Sequence, residues 1–284
     1  MPFDWLAEPI HLFVFRRQGI TLRYASCTRD LVIEGDTYLA AQIERDAIRQ
    51  TPERAKDRLK IRVAYLLDPD AAETPATQPL GDWWRPYIPS DEISVVCLST
   101  TFGATDPPSV EWIGTVATPA FGDAELELTC DPNSVRGDIA NQGPKFQRAC
   151  FKTVYSTGPR GCNLVEDDFK VPGTLTGVSG LTLTAAEWVG TAISLQGGTL
   201  YWTRTDGIVE ERPILAHDNA AGAITVLWFG AGLAVDAQAV AVPNCPGTWS
   251  ACAARRPDPE NHYGGAIYKP VKDPIAGAVS MSWG

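Results

Sequence analysis

The sequence predicts a mainly β protein: two barrel-like domains joined by a cysteine-bearing bridge, with few short helices. Three observations carry that expectation. Short apolar runs recur along the chain between turn residues, and 25 glycines and 22 prolines are spread through its 284 residues. Residues 58–67 also show a clear period of two, with Leu59, Ile61, Val63, Tyr65 and Leu67 alternating with Arg58, Lys60, Arg62, Ala64 and Leu66. Frequent glycine and proline punctuate strands and turns, and alternation marks a strand with one face in a core. A hydrophobic content of 44% suffices to bury one large or two ordinary cores.

Taken in order, residues 10–16, 20–25 and 31–33 read as short strands, separated by Gly19, Thr28–Asp30 and a Gly35–Asp36 turn. Residues 68–90 read as a long loop with one helical turn, whose Trp83 and Trp84 are expected to cap a barrel end. Strands resume at 93–99, 110–118 and 125–130. In the last, Leu126, Leu128 and Cys130 alternate with Glu125, Glu127 and Thr129, which turns Cys130 inward. Residues 131–168 lose all alternation and form the bridge. A second β-rich stretch follows, with strands at 200–204, 208–215 and 224–229, an Asp206–Gly207 hairpin turn and a further turn at 218–222. Helix is expected only near 40–50, 146–153 and 185–188. The domains predicted are 1–145, and 146–284 with the bridge at 146–168 and an irregular tail at 244–284.

Charge and motifs narrow the function. Twenty-four basic against thirty-four acidic side chains give a net charge of −10, which disfavours a surface that collects phosphates. No run of 18 apolar residues suggests membrane insertion, and the opening MPFDWLAEP reads as lacking an export signal, so assembly in a cytoplasm is expected. No nucleophile elbow, zinc-protease helix or phosphate loop is present. His11 reads as a satisfied strand residue, His217 as a solvated turn residue, and His262 as a turn residue or a donor near a metal. Glu125 with Glu127, and Glu166, Asp167 and Asp168, read as solvated faces rather than catalytic pairs.

The seven cysteines carry the most information. In a reducing compartment they point to metal binding, catalysis or burial rather than disulfides. Cys27, Cys97 and Cys130 fall in apolar strand patterns and are expected to be core thiols. Cys150 with Cys162, and Cys245 with Cys252, instead form two pairs, C-x11-C and C-x6-C, in glycine- and proline-rich loops. Such loops can wrap thiolates around a metal and leave N–H groups free to point at sulfur. Zinc favours tighter knuckles, while a bulkier iron-sulfur core tolerates wider spacing. Zinc and unligated thiols remain open alternatives on spacing alone.

The segment CFKTVYSTGPRGCNLVEDDFKVPGTLTGV, a GG-x-L-Y-W hairpin and NCPGTWSACAARRPDPENHYGGAIYKP together resemble the tail-tip hub family of long-tailed phages and gene transfer agents. Cys150, Tyr155, Cys162, Cys245, Cys252, Asn261, Gly264, Gly265 and Pro270 occupy the matching places over about residues 145–275. Asn163 departs from a glycine common there, and residues 253–260 replace a more usual Arg-Phe-Gly/Asn-Asn run. The resemblance implies a [4Fe-4S] cluster on Cys150, Cys162, Cys245 and Cys252. It further implies a structural, non-enzymatic baseplate hub at the virion tail tip, built as a homotrimer with a pseudo-sixfold ring. Its implied neighbours are a hexameric tail tube or distal tail protein, a central hub or fibre protein and a tape measure protein, with DNA passing through without specific binding. The alternative is a tail-associated cysteine peptidoglycan hydrolase using Cys150 or Cys162 with His262.

Overall fold

The computed structural model describes residues 9–49, 51, 57–68, 70–104, 106–133 and 147–269. These divide into two compact units: the described residues up to 133 with Thr203–Glu210 and Gly230–Gly232, and the remainder. Both are mainly β.

In the first unit nine strands form one sheet: β1 (Pro9–Arg17), β2 (Ile20–Ala25), β3 (Leu31–Ile33), β4 (Asp36–Ala40), β5 (Ile43–Arg45), β6 (Leu59–Ala64), β7 (Ser94–Thr101), β8 (Ser109–Phe121) and β9 (Glu125–Pro132). Their spatial order is β3-β4-β2-β1-β7-β8-β9-β6-β5, and β2 beside β4 is a parallel pair. The alternation of residues 58–67 explains β6. Leu59, Ile61 and Val63 are buried and stand opposite Cys130, Leu128 and Leu126 of β9, so two period-two patterns interlock on one face. On the other face Lys60 Nζ meets Glu127 Oε1 at 2.7 Å, and Arg62 reaches Glu127 at 3.3 Å. Glu125 and Glu127 thus belong to a charged, water-facing surface. Tyr24 of β2 and Ile43 of β5, from opposite parts of the strand order, share one buried cluster with Phe13, Phe15 and Val95, so the sheet curls around its core.

A buried ionic group completes this unit. Arg17, fully buried at the end of β1, reaches Asp91 Oδ1 at 2.8 Å and Glu210 Oε1 at 2.6 Å. The backbone N–H and hydroxyl of Ser90 donate to Glu210 Oε2 at 3.1 and 2.9 Å. Burial alone would raise the Glu210 pKa, but the bonds from Arg17 and Ser90 outweigh it and hold the carboxyl below its usual range.

The second unit is built on a closed six-stranded barrel of β10 (Val171–Ser179), β11 (Thr182–Ala185), β12 (Thr199–Thr203), β13 (Val209–Asp218), β14 (Ala223–Val226) and β15 (Gln238–Val242). The strands close in the order β10-β11-β14-β13-β12-β15. Leu175, Leu183, Trp188, Leu200, Trp202, Ile214 and Ile224 fill it. The seam that positions the cysteines is β10 against β15, antiparallel with Val171 opposite Ala241. The segment before β10 and the segment after β15 therefore leave the barrel side by side.

Several expectations are corrected. Helix is expected near 40–50, but residues 40–49 contain none: β4 ends and β5 lies there, because Ala41 N–H pairs with Ala25 O and Ile43 enters the core, overriding helical propensity, while residue 50 lies outside the described residues. Residues 147–153 are also non-helical, since the Cys150 N–H bonds Gly247 O and Gln147 O accepts from Ala266. The short helix expected near 185–188 is present, as a 3-10 helix at Ala186–Trp188. The loop at 68–90 holds α1 (Gln78–Gly81) and a 3-10 turn at Asp82–Trp84, and both tryptophans join the first unit's core. The tail is not wholly irregular, for it carries α2 (Trp249–Arg255) and α3 (Pro259–His262). No described helix is long and apolar enough to cross a membrane.

Candidate metal centre

Cys150, Cys162, Cys245 and Cys252 line one cavity of about 130 Å³ in the second unit, with Arg255, His262 and Tyr263. Each is partly buried and free of disulfide. Separate local devices deliver them.

Cys150 is held by its own N–H to Gly247 O at 2.8 Å, and its Sγ accepts the Gly264 N–H at 3.2 Å. Gly247 has a positive φ of 68°, and an added Cβ there would lie 3.2 Å from the Cys150 carbonyl, so the chain reversal beside Cys245 requires glycine. Cys162 ends a knotted turn. Its N–H bonds Ser156 Oγ at 3.0 Å, Asn163 N–H bonds Ser156 O at 2.7 Å, and the Asn163 amide clamps Gly158 through both N–H and C=O at 2.9 Å. Arg256 donates to the Cys162 carbonyl at 2.6 Å.

That turn explains the departure at 163. Asn163 sits at φ 55°, the left-handed region that glycine occupies freely and asparagine tolerates best among side-chain residues. Asn163→Gly is expected to leave stability within about 1 kcal/mol, whereas Asn163→Val loses the clamp and strains the backbone by roughly 2–3 kcal/mol. Urea midpoints of the two variants measure the difference.

The Cys245 N–H donates to Asn244 Oδ1 at 2.8 Å, and Arg255 donates to Asn244 O at 3.1 Å. Cys252 rides on α2, whose N-cap Thr248 accepts the Ala251 N–H at 3.2 Å. Tyr155, with φ 59°, anchors the bridge to the end of β15 by donating to Pro243 O at 2.6 Å, and burial first of all pushes its pKa up to about 12.

The electrostatics suit a cationic occupant bound by thiolates. Burial, then the neighbouring Cys150, Cys162 and Cys245, raise the Cys252 pKa, because four thiolates in one cavity repel one another unless a cation neutralises them. Arg255 lines the cavity and Arg256 adjoins it, and the buried Nε atoms of both lack a hydrogen-bond partner. Among the described residues, no group of three or more His, Cys, Asp or Glu is arranged to hold a metal ion.

The other candidates fall elsewhere. Cys97 and Cys130 are fully buried core thiols, and burial pushes Cys97 up to about 12. Cys27 is only partly buried and donates to Arg29 O at 3.0 Å, so the expectation of a core thiol is corrected there: it lies at the edge of the smaller apolar cluster on the sheet's second face. His11 is partly buried beside Arg45 and Glu111. His217 is not a solvated turn residue, since Nδ1 accepts the Leu195 N–H at 3.2 Å and Nε2 lies 3.2 Å from Trp188 O. His262 lines the cavity and pairs with Asp258 at 3.3 Å; among the described residues no cysteine is hydrogen-bonded to it. Glu166 and Asp167 pair with Lys170 at the surface. Of the other positions in the pattern, Gly264 N–H reaches Cys150 Sγ, Gly265 packs on Arg148, Asn261 lies in α3, and Pro270 lies outside the described residues. Sequence reasoning passed over Tyr263, Arg255, Arg256 and Asp258, none of which carries a spacing signal.

No protein-family model matches the chain. A stretch of 166 residues, 58% of the chain, is 53% identical to a protein of Xylella fastidiosa (strain 9a5c) described as uncharacterized, and corresponds to 35% of that relative, so the match spans about a third of its length. Among solved structures, a chain in the virion of a native gene transfer agent (GTA) particle matches with a TM-score of 0.68, over 96% of this chain and 91% of that one, at 14% identity. The two chains share one fold.

Proposed function

We propose that this chain is a structural, non-enzymatic tail-tip hub protein of a phage-like particle. In this reading three copies form a pseudo-sixfold ring at the virion tail tip. The ring adapts a hexameric tail tube or distal tail protein to threefold tip components, contacts a tape measure protein and a central fibre protein, and lets DNA pass without gripping it. The observation that carries the reading is the fold match to a chain of the GTA virion over nine-tenths of both chains. The net charge of −10 supports a conduit that does not bind duplex.

Within the same reading Cys150, Cys162, Cys245 and Cys252 hold a [4Fe-4S] cluster. A tetrahedral zinc with bonds of about 2.3 Å draws its sulfurs to within about 3.8 Å of one another. The four thiols share one cavity and come in pairs of wide spacing along the chain, which a larger inorganic core tolerates. The unpartnered Arg255 Nε supports a centre whose total charge, the four thiolates included, is negative. When bound, such a core acts as a cross-link between the bridge and the tail; the chain's own contribution is to orient sulfurs and exclude water.

Protein purified without oxygen is expected to be brown, to contain iron and sulfide in about equal amounts, and to form threefold rings in electron micrographs. Zinc in place of iron would overturn the cluster, and a stable monomer at high concentration would overturn the ring. Because His262, which pairs with Asp258, lines the cysteine cavity, the same preparation is assayed on cell-wall peptidoglycan. Digestion abolished by Cys150→Ala or Cys162→Ala would replace the structural reading with the hydrolase.

A further inference from the structure

The segment Tyr263–Gly265 makes three separate attachments beside the cysteine cavity, which Tyr263 lines. The single hydroxyl proton of Tyr263 is donated to Arg148 O at 2.6 Å, with Gly247 O alongside at 3.1 Å. The Tyr263 ring meets Trp249 of α2 edge-on at 5.4 Å, which ties the segment to the helix that carries Cys252. Next, the Gly264 N–H points at Cys150 Sγ from 3.2 Å. Finally, Gly265 packs so closely that an added Cβ would lie 2.2 Å from Arg148 O, and Ala266 N–H bonds Gln147 O at 2.8 Å.

Each attachment lands on the stretch 147–150 or on its partner at 247–249, the backbone immediately around Cys150. An added Cβ at Gly264 would meet Cys150 Sγ at 3.2 Å and Lys152 Cγ at 3.0 Å. Only residues without side chains let the segment lie flat against the thiol. The run Tyr-Gly-Gly is therefore a tether, an aimed donor and a close-packed stop in consecutive positions.

We propose that Tyr263, Gly264 and Gly265 form a sealing strap that positions the Cys150 sulfur and shields it, and any metal bound beside it, from solvent, oxidants and chelators. The shielding of a bound cluster rests on the reading of the preceding section; the shielding of the Cys150 thiol does not. Tyr263 is a positioning residue, acting through the backbone at 148 and 247, and Gly264 supplies the only donor to a cavity sulfur among the described hydrogen bonds.

The test uses the full chain with two variants, Tyr263→Phe and Gly264→Ala. Metal-free protein is pulsed with iodoacetamide, and labelling of each cysteine is read by peptide mass spectrometry, with Cys97 as an internal check that the fold is intact. In both variants Cys150 is expected to label roughly five- to tenfold faster, the effect of losing about one hydrogen bond's worth of closure, while Cys245 labelling is unchanged. Anaerobic holoprotein is then challenged with an iron chelator, and both variants should bleach faster by a similar factor. Unchanged Cys150 labelling with Cys97 still protected would overturn the strap. Wild-type protein that carries no iron when purified without oxygen, with Cys150 still labelling faster in Tyr263→Phe, would reject the cluster and keep the strap, so the two failures are separable.

Discussion

Cys162→Ser is expected to lose essentially all bound iron and to melt well below the wild type. On the proposed reading the metal joins residues 150 and 252 and closes a loop of about a hundred residues. By analogy with long disulfide loops, restricting the unfolded chain to that extent is worth about 4–5 kcal/mol. For a chain of this size that corresponds to a fall in Tm of roughly 10–15 °C. Serine keeps the volume and the N–H bond to Ser156 Oγ, so the loss reports ligation rather than local collapse. Calorimetry under nitrogen, with Cys130→Ala as the control, decides it. Cys130 is buried in the first unit, and its replacement should leave the iron in place. A Cys162→Ser protein that keeps its visible absorbance and its Tm would sink the assignment.

The second large effect is expected in the first unit. Glu210→Ala leaves Arg17 buried and without its shorter partner, at a cost of about 3–5 kcal/mol. Replacing both, as Arg17→Met with Glu210→Leu, should recover much of that loss, because two apolar side chains of similar volume do not need each other's charge. The pH dependence has a definite sign. Glu210 titrates below its usual range in the folded state, so the stability it contributes is fully present above the unfolded carboxylate value of about 4.3. It is lost as pH falls through the lower folded value. Urea midpoints of wild type and of Glu210→Ala should therefore differ most near neutrality and draw together in acid; a constant gap from pH 7 to pH 3 would reject the ionic account.

Much of the fold was legible because the first unit's strands wear their burial pattern openly. Leu59, Ile61 and Val63 against Leu126, Leu128 and Cys130 fix two strands and their facing from residue types alone. The second unit is less transparent. β10 (VPGTLTGVS) and β11 (TLTA) carry threonine and glycine where a pattern search wants leucine, and β15 is mostly alanine and valine. Their strand state comes from closing the barrel, a non-local event. The missed strands β4 and β5 fail for a related cause: Ala40, Ala41 and the Glu, Arg and Gln that follow favour helix locally, and only pairing with Ala25 and burial of Ile43 overrule them.

The site divides along the same line. The four cysteines were found by elimination, since they stand outside every apolar pattern. What surrounds them was not. Arg255 and Arg256 look like ordinary surface charge in the run AARRPDPE, and nothing in that string announces that one closes on Asn244 and the other on the Cys162 carbonyl. Asn163 is the opposite case, a residue that looked like a departure and proves to be a substitute for glycine with an amide clamp added.

The seam between β10 and β15 sets a timetable for maturation. On the ribosome, Cys150 and Cys162 emerge roughly eighty residues before Cys245, and no route brings the later pair to the earlier one until the sixth strand has docked on the first. A nascent chain thus offers two thiols with no companions during most of the barrel's synthesis. On the proposed reading, a chain cut between β15 and residue 252 would lack one of the four sulfurs however well its strands had formed.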